Sequence, residues 1–278
     1  MEPGPEAAAE ALGALMTALL GLFGPAEGAI WGLAAVFARV GAMATLLPGI
    51  GDRALPMRLK LAAAVAFTAV IWPVVAETAV PAGAALAERG PGALALALVA
   101  EAAAGLVLGL AVRLIVMALQ VAGAIAAQST AVAQIAGADV APDPLPAIGA
   151  ILTVAATALA MAAGLHVKAA AALAGSYAVL PLGVLPPAAD AAAWATARVG
   201  EAFGLAVALA SPFAAASLLY NLALGAINRA MPQLMVAFVG APAITLGALI
   251  LLSMLAPEML GHWLERLDAA LADPFGGP

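Results

Sequence analysis

Three charged side chains, Arg39, Glu101 and Arg113, stand inside stretches that are otherwise apolar. A charge at the centre of a membrane helix costs ~2.5–3.5 kcal/mol on insertion scales. One leucine returns only ~0.3–0.6 kcal/mol. Such residues need partners or water, and two chemistries can supply them. Acids in series pass protons or ions, whereas one Arg and one Glu on two helices neutralise each other. A relay uses several acids. This interior offers one, which favours ion pairs between helices or between subunits, Arg39 with Glu101 being the expected pair, or, for Arg113, snorkelling from a helix end. Catalysis has less to work with. Ser176 follows His166 in one apolar stretch, but no G-x-S-x-G elbow surrounds it and no acid lies near in sequence to orient a base. The chain has no cysteine and two histidines, His166 and His262. That leaves no thiolate nucleophile, no disulfide and no H-E-x-x-H zinc helix. There is no P-loop or dinucleotide-binding glycine pattern. The expectation is a protein that is not an enzyme and holds no cofactor and no metal.

The elements that would position these residues are apolar. Of 278 residues, 65% are hydrophobic and 9% charged, against roughly 25% charged in an average soluble domain. Mean hydropathy is +1.11. A soluble monomer could not cover its surface with so few charges. The net charge is −6, and no basic stripe exists to release counterions from phosphates, which argues against nucleic acid.

Because charges are rare, they mark out the spans. Residues 61–76, 114–138, 144–167, 202–228 and 230–257 carry none. About 20 apolar residues cross a bilayer, so the longer runs each suffice. Residues 28–47, interrupted by Arg39, and 92–112, interrupted by Glu101, are further candidates. Pro48-Gly49 ends the first span, Pro73 and Pro81 bracket the end of the second, and Pro142, Pro144, Pro146, Pro181, Pro186 and Pro187 mark later breaks. Breaks inside helices are expected at Gly123, Gly137, Pro212, Pro232 and Pro242. Helices broken at membrane depth survive only where protein or a water-lined path covers them. No strict period-2 alternation supports a β-barrel. The fold class is therefore all-α: a polytopic membrane protein of about six to eight apolar helices, several broken by Gly or Pro, built to pack inside a larger assembly.

Residues 1–27 carry Glu2, Glu6, Glu10 and Glu27 and no basic residue, the opposite of a secretory signal. Its apolar part, 11–23, is too short to span and reads as a surface or partner helix. Arg53, Arg58 and Lys60 place the loop after the first span in the cytoplasm, and counting spans onward leaves the C-terminus outside. Gly28-x-x-x-Gly32 and Gly105-x-x-x-Gly109 are small-residue helix contacts.

Residues 221–242 read NLALGAINRAMPQLMVAFVGAP and carry Asn221, Gly225, Arg229, Pro232, Gln233, Gly240 and Pro242. This segment resembles the signature of the FliR family of type III export-gate subunits. Other segments agree in order: Arg39 with Pro48; Arg53, Pro56, Arg58 and Lys60; Glu101, Gly105 and Gly109; Gln120, Gly123 and Gln128; His166; then Ser176-Tyr177 and Leu180 to Gly183. The domain reading is an extension over 1–27, a FliR-like helical domain over 28–257 and an acidic tail over 258–278.

The resemblance implies a structural subunit of the flagellar protein export gate in the bacterial inner membrane, at the basal body. Such a chain joins FliP-like and FliQ-like subunits in a helical ring, beside FlhB and FlhA, around the path of unfolded exported polypeptide. It implies a cytoplasmic C-terminus, which is preferred to the span count. It also implies structural or subunit-contact roles for Pro56, Arg58, Gly105, Gly109, Gln120, Gly123, Asn221, Gly225, Arg229, Pro232, Gln233, Gly240 and Pro242. In the family the segment after the Gln corresponding to Gln128 plugs the closed pore. Here it reads QSTAVAQIAGAD over 128–139, giving Gln128, Ser129, Thr130, Ile135, Gly137 and Asp139 as candidate plug residues. Relatives have Gly after that Gln, two aromatics and an Asp-Pro end. This chain has small residues, and its Asp-Pro comes at Asp143-Pro144. His166 stands where relatives have Asn-Gly-His and reads as a capping or core histidine, with Lys168 snorkelling. The rivals are a small-molecule secondary transporter, which predicts an inverted repeat and a midplane polar site, and a non-channel membrane scaffold. The sequence shows no such repeat or site.

Overall fold

The computed structural model describes residues 26–52, 54–130, 147–231 and 236–276, with backbone only for 236–241. These residues form seven helices and no strand. They are α1 (Ala26–Ala44), α2 (Met57–Glu88), α3 (Pro91–Ser129), α4 (Ala147–Ala162), α5 (Leu165–Val179), α6 (Ala188–Ala230) and α7 (Val236–Ala272). Five helices are long and apolar enough to cross a membrane: α1, α2, α3, α6 and the Pro242–Ala272 part of α7. The chain is a membrane protein.

Local chemistry sets the boundaries. Gly90, at φ +92°, takes the left-handed conformation that ends α2, and its N–H reaches the Ala87 carbonyl at 3.0 Å. Pro91 then opens α3, where its missing N–H costs nothing. Gly164, at φ +81°, does the same between α4 and α5, which bend by 72°. Residues 144–167 were expected to offer one straight span. The left-handed turn at Gly164 breaks it.

Several expected breaks are absent. α2 runs through both Pro73 and Pro81, and α6 through Pro212. Gly123 and Pro242 also lie within continuous helices, whereas Gly137 and Pro232 lie outside the described residues. A helical proline forfeits one hydrogen bond and kinks the axis. Apolar helices keep their other bonds because no water competes for them. Residues 61–76 are thus one part of a 32-residue helix that carries Glu77 within it. α7 likewise passes Pro257 and continues to Ala272.

The chain divides into two compact units. The first contains residues up to 110 together with 169–187, and the second contains 111–168 and 188–278. In the first, Val36, Val40, Met43, Leu47, Ile71, Ala100, Ala104, Leu108 and Leu173 form the core. Its helices touch backbone to backbone. A Cβ on Gly28 or Gly32 would meet the Val80 or Ala79 carbonyl oxygen at 2.6 Å, and one on Gly109 would meet the Met43 carbonyl at 3.0 Å. In the second, Leu119, Ile148, Leu152, Ala206, Phe213, Trp263 and Leu267 are buried. Gly123 of α3 and Gly149 of α4 leave no room for a Cβ between them. The Trp263 indole N–H, fully buried, donates to the Ile115 carbonyl at 2.9 Å and ties α7 to α3.

Candidate functional site

The first unit is organised around one buried charge cluster. α1 supplies Arg39 and α3 supplies Glu101, and neither side chain is exposed at all. Arg39 Nε donates to Glu101 Oε2 at 2.8 Å and Nη2 donates to Oε1 at 3.0 Å, a two-pronged pair. The remaining bonds close the cluster. Arg39 Nη1 donates to Ser176 Oγ at 2.9 Å, and Nη2 to the Leu180 carbonyl at 2.9 Å. Glu101 Oε1 also accepts from the Gly183 N–H at 2.8 Å. The Tyr177 ring lies against the guanidinium, 3.8 Å from Cζ to the ring centroid.

This arrangement fixes four pieces of chain to one another: α1, α3, the end of α5 and the turn after it. A desolvated pair holds only when its spare donors and acceptors are satisfied. Here four of the five guanidinium N–H groups and both carboxylate oxygens are bonded, while the buried Tyr177 hydroxyl beside them has no partner among the described residues. A proton relay would need further acids within reach, and the bonds to this cluster bring none. The seryl hydroxyl weighed as a nucleophile is committed elsewhere: Ser176 Oγ receives Arg39 and donates to the Leu173 carbonyl at 2.6 Å. His166 is exposed, not a core residue. Lys168, expected to snorkel, instead pairs with Asp268 at 2.6 Å. Among the described residues no group of three His, Asp or Glu side chains could hold a metal ion.

Sequence reasoning named Arg39 and Glu101 but no site role for Ser176, Leu180 or Gly183. A polar serine in an alanine-rich helix, followed by Pro181 and Gly183, was the available signal. Two of these three contacts use backbone atoms, which leave no trace in residue type.

The first three candidate plug residues fall at the end of α3 and just after it. Gln128 is exposed, Ser129 half-buried and Thr130 buried, with Thr130 Oγ1 donating to the Ala126 carbonyl at 2.7 Å. Ile135, Gly137 and Asp139 lie outside the described residues. The last carbonyls of a helix lack intrahelical donors. At Ser129 the donor is Ser217 Oγ of α6, and Asn221 Nδ2 donates in turn to Ser217 Oγ at 3.2 Å.

The other motif residues divide into packed and exposed. Gly105 abuts the Arg39 carbonyl and Gly109 abuts Met43, while the Gln120 carbonyl faces Gly149. Pro56 precedes α2 in an extended conformation (φ −58°, ψ 144°), and Arg58 is exposed. Asn221, Gly225 and Arg229 are exposed on α6, with Arg229 in its last turn. Its charge suits the negative end of the helix dipole. Pro242 is exposed inside α7, Gly240 lies in the backbone-only part of that helix, and Gln233 lies outside the described residues.

Comparison with known proteins adds the family. The model of the bacterial export proteins, family 1, matches residues 30–270. The flagellar biosynthetic protein FliR of Caulobacter vibrioides is 34% identical over 234 residues, which cover 84% of this chain and 91% of that protein. With both matches extending over most of its length, the chain belongs to family 1 of the bacterial export proteins, the FliR family of the flagellar type III export apparatus.

Proposed function

We propose that the chain is a non-enzymatic subunit of the export gate that helps to form and to close the channel for unfolded flagellar subunits at the inner membrane of the basal body. Its partners in this reading are FliP-like and FliQ-like chains in a helical ring, with FlhB-like and FlhA-like components beside it. The supporting observation is the end of α6. From 214 to 231 every residue is exposed except Ser217, Tyr220 and Leu224. Leu218, Leu219, Leu222, Ile227 and Met231 stand 46–68% exposed. A helix that is apolar all round is covered in its working state. Lipid alone is a poor cover for Asn221, Asn228 and Arg229, whereas the flanks of neighbouring helices can bond them. A channel wall for polypeptide needs such seams and needs no catalytic group. The segment 128–139 is the proposed closing element, and Ser217 holds its entry end through Ser129.

The test is affinity purification of the tagged chain from detergent-solubilised membranes, with export of flagellar subunits measured in the same cells. The expected result is recovery of FliP-like and FliQ-like chains, and loss of export when this chain is deleted. Recovery of the chain alone while those partners are expressed would overturn the reading.

A further inference from the structure

The second unit contains a cavity that the export role leaves unused. It measures about 290 Å³ and opens between α3, α6 and α7. Its floor is apolar, with Leu114, Ile115, Ala202 and Leu205, and its rim carries Arg198, Glu201, Arg266 and Asp273. The rim charges are not equally engaged. Arg198 Nη1 donates to Glu201 Oε2 at 3.0 Å, and the Asp273 carboxylate accepts from the Gly276 N–H at 2.8 Å. Arg266 makes no hydrogen bond or ion pair with any of the described residues. Arg266 is therefore the rim side chain whose donors are all free among the described residues, beside an Asp273 carboxylate that holds a backbone N–H but no cation.

Beside it runs a second, smaller hollow lined by Leu114, Met117, Ala118, Val121, Val199, Ala202 and Phe203, with no polar side chain. Leu114 and Ala202 line both. The two spaces thus join a charged mouth to a dry trough along helices of membrane length. A free anion would use the first and not the second. A plain hydrocarbon would use the second and not the first.

We propose that this paired cavity is a glycerophospholipid site, with the phosphodiester on Arg266 and one acyl chain in the trough between Met117 and Phe203. Arg198 serves as a fixed neighbour, already oriented by Glu201 and by the carbonyl of Gly276. The occupant is a single retained lipid, distinct from the mobile lipid around the protein, and it fills the space where α3, α6 and α7 diverge. The proposal rests on the export-complex reading through its test alone, and recovery of the complex is read separately from retention of lipid.

Native mass spectrometry of the detergent-purified export complex, titrated with phosphatidylglycerol, tests it. The expected result is one lipid per copy of this chain retained under activation that strips the rest. Arg266→Gln should weaken retention about tenfold, the scale of one charged hydrogen bond, and Arg266→Lys should recover part of it. Arg266 is exposed and unbonded, so these variants leave the fold intact. Phe203→Gln, at a 58% exposed position, should weaken retention independently. Diacylglycerol and inorganic phosphate should not be retained. Retention unchanged in both Arg266→Gln and Phe203→Gln would overturn the site, as would equal retention of diacylglycerol or of phosphate alone. Binding to the isolated chain but never to the assembled complex would also overturn it, by assigning the space to a partner subunit.

Discussion

The carbonyl oxygen of Arg39 occupies the space into which a Cβ on Gly105 would project. The residue that carries the buried charge in α1 is thus also a point of backbone contact with α3. Gly105 lies one turn beyond Glu101, so backbone contact and ion pair share one crossing. Gly105→Ala should push the helices apart and stretch the Arg39–Glu101 bonds. We expect a loss of about 1–3 kcal/mol, read as a lowered thermal midpoint of the detergent-purified protein, with Gly92→Ala, where nothing lies within 4 Å, as the unaffected control.

The pair itself predicts an asymmetric mutational pattern. Arg39→Ala or Glu101→Ala leaves a buried charge uncompensated and should cost about 3–5 kcal/mol. The double replacement Arg39→Met with Glu101→Leu should lose much less than the two singles added together. A charge swap should not rescue. It would turn an Arg toward the Gly183 N–H and a Glu toward the Leu180 carbonyl, both of which are oriented for the native signs. A double-mutant cycle on thermal stability decides this, and full rescue by the swap would show that those backbone contacts are unimportant.

Trp263→Phe removes the donor to the half-buried Ile115 carbonyl while leaving most of the ring volume. The Ile115 carbonyl lies inside α3 and keeps its helical donor, so the loss is that of one hydrogen bond, about 0.5–1.5 kcal/mol. The variant should lower stability by that amount, and proteolysis should strike α7 earlier than in the parent protein.

Arg229→Ala should leave the chain folded, because the side chain is exposed at the end of α6, but should impair co-purification of the FliP-like and FliQ-like chains. Normal recovery of these partners and normal export would remove Arg229 from the proposed seam.

Legibility in the sequence followed the physics of each feature. The helical class was readable because charges are scarce enough to punctuate the chain. Arg39 and Glu101 were readable as a pair because an unpaired charge at such a position is costly. The helix through Pro73 and Pro81 was not, since a proline rule drawn from water overstates breakage in apolar surroundings. The bend at Gly164 was missed because an uninterrupted apolar run conceals a left-handed glycine. Ser176 was weighed as a catalyst. Its role as a guanidinium acceptor depends on α1, which lies far away in sequence and close in space.

The length of α6 sets a limit on where this protein can reside. Its 43 residues extend ~65 Å at helical rise, about twice a ~30 Å hydrocarbon core. A tilt of ~40° would accommodate only ~40 Å of that length. About 25 Å of the helix must therefore project beyond the lipid, and its first turns, which carry Asp190, Arg198 and Glu201, are the part fitted to water. The opposite end, 214–231, would then lie at membrane depth with its apolar flank bare until other helices or lipid cover it.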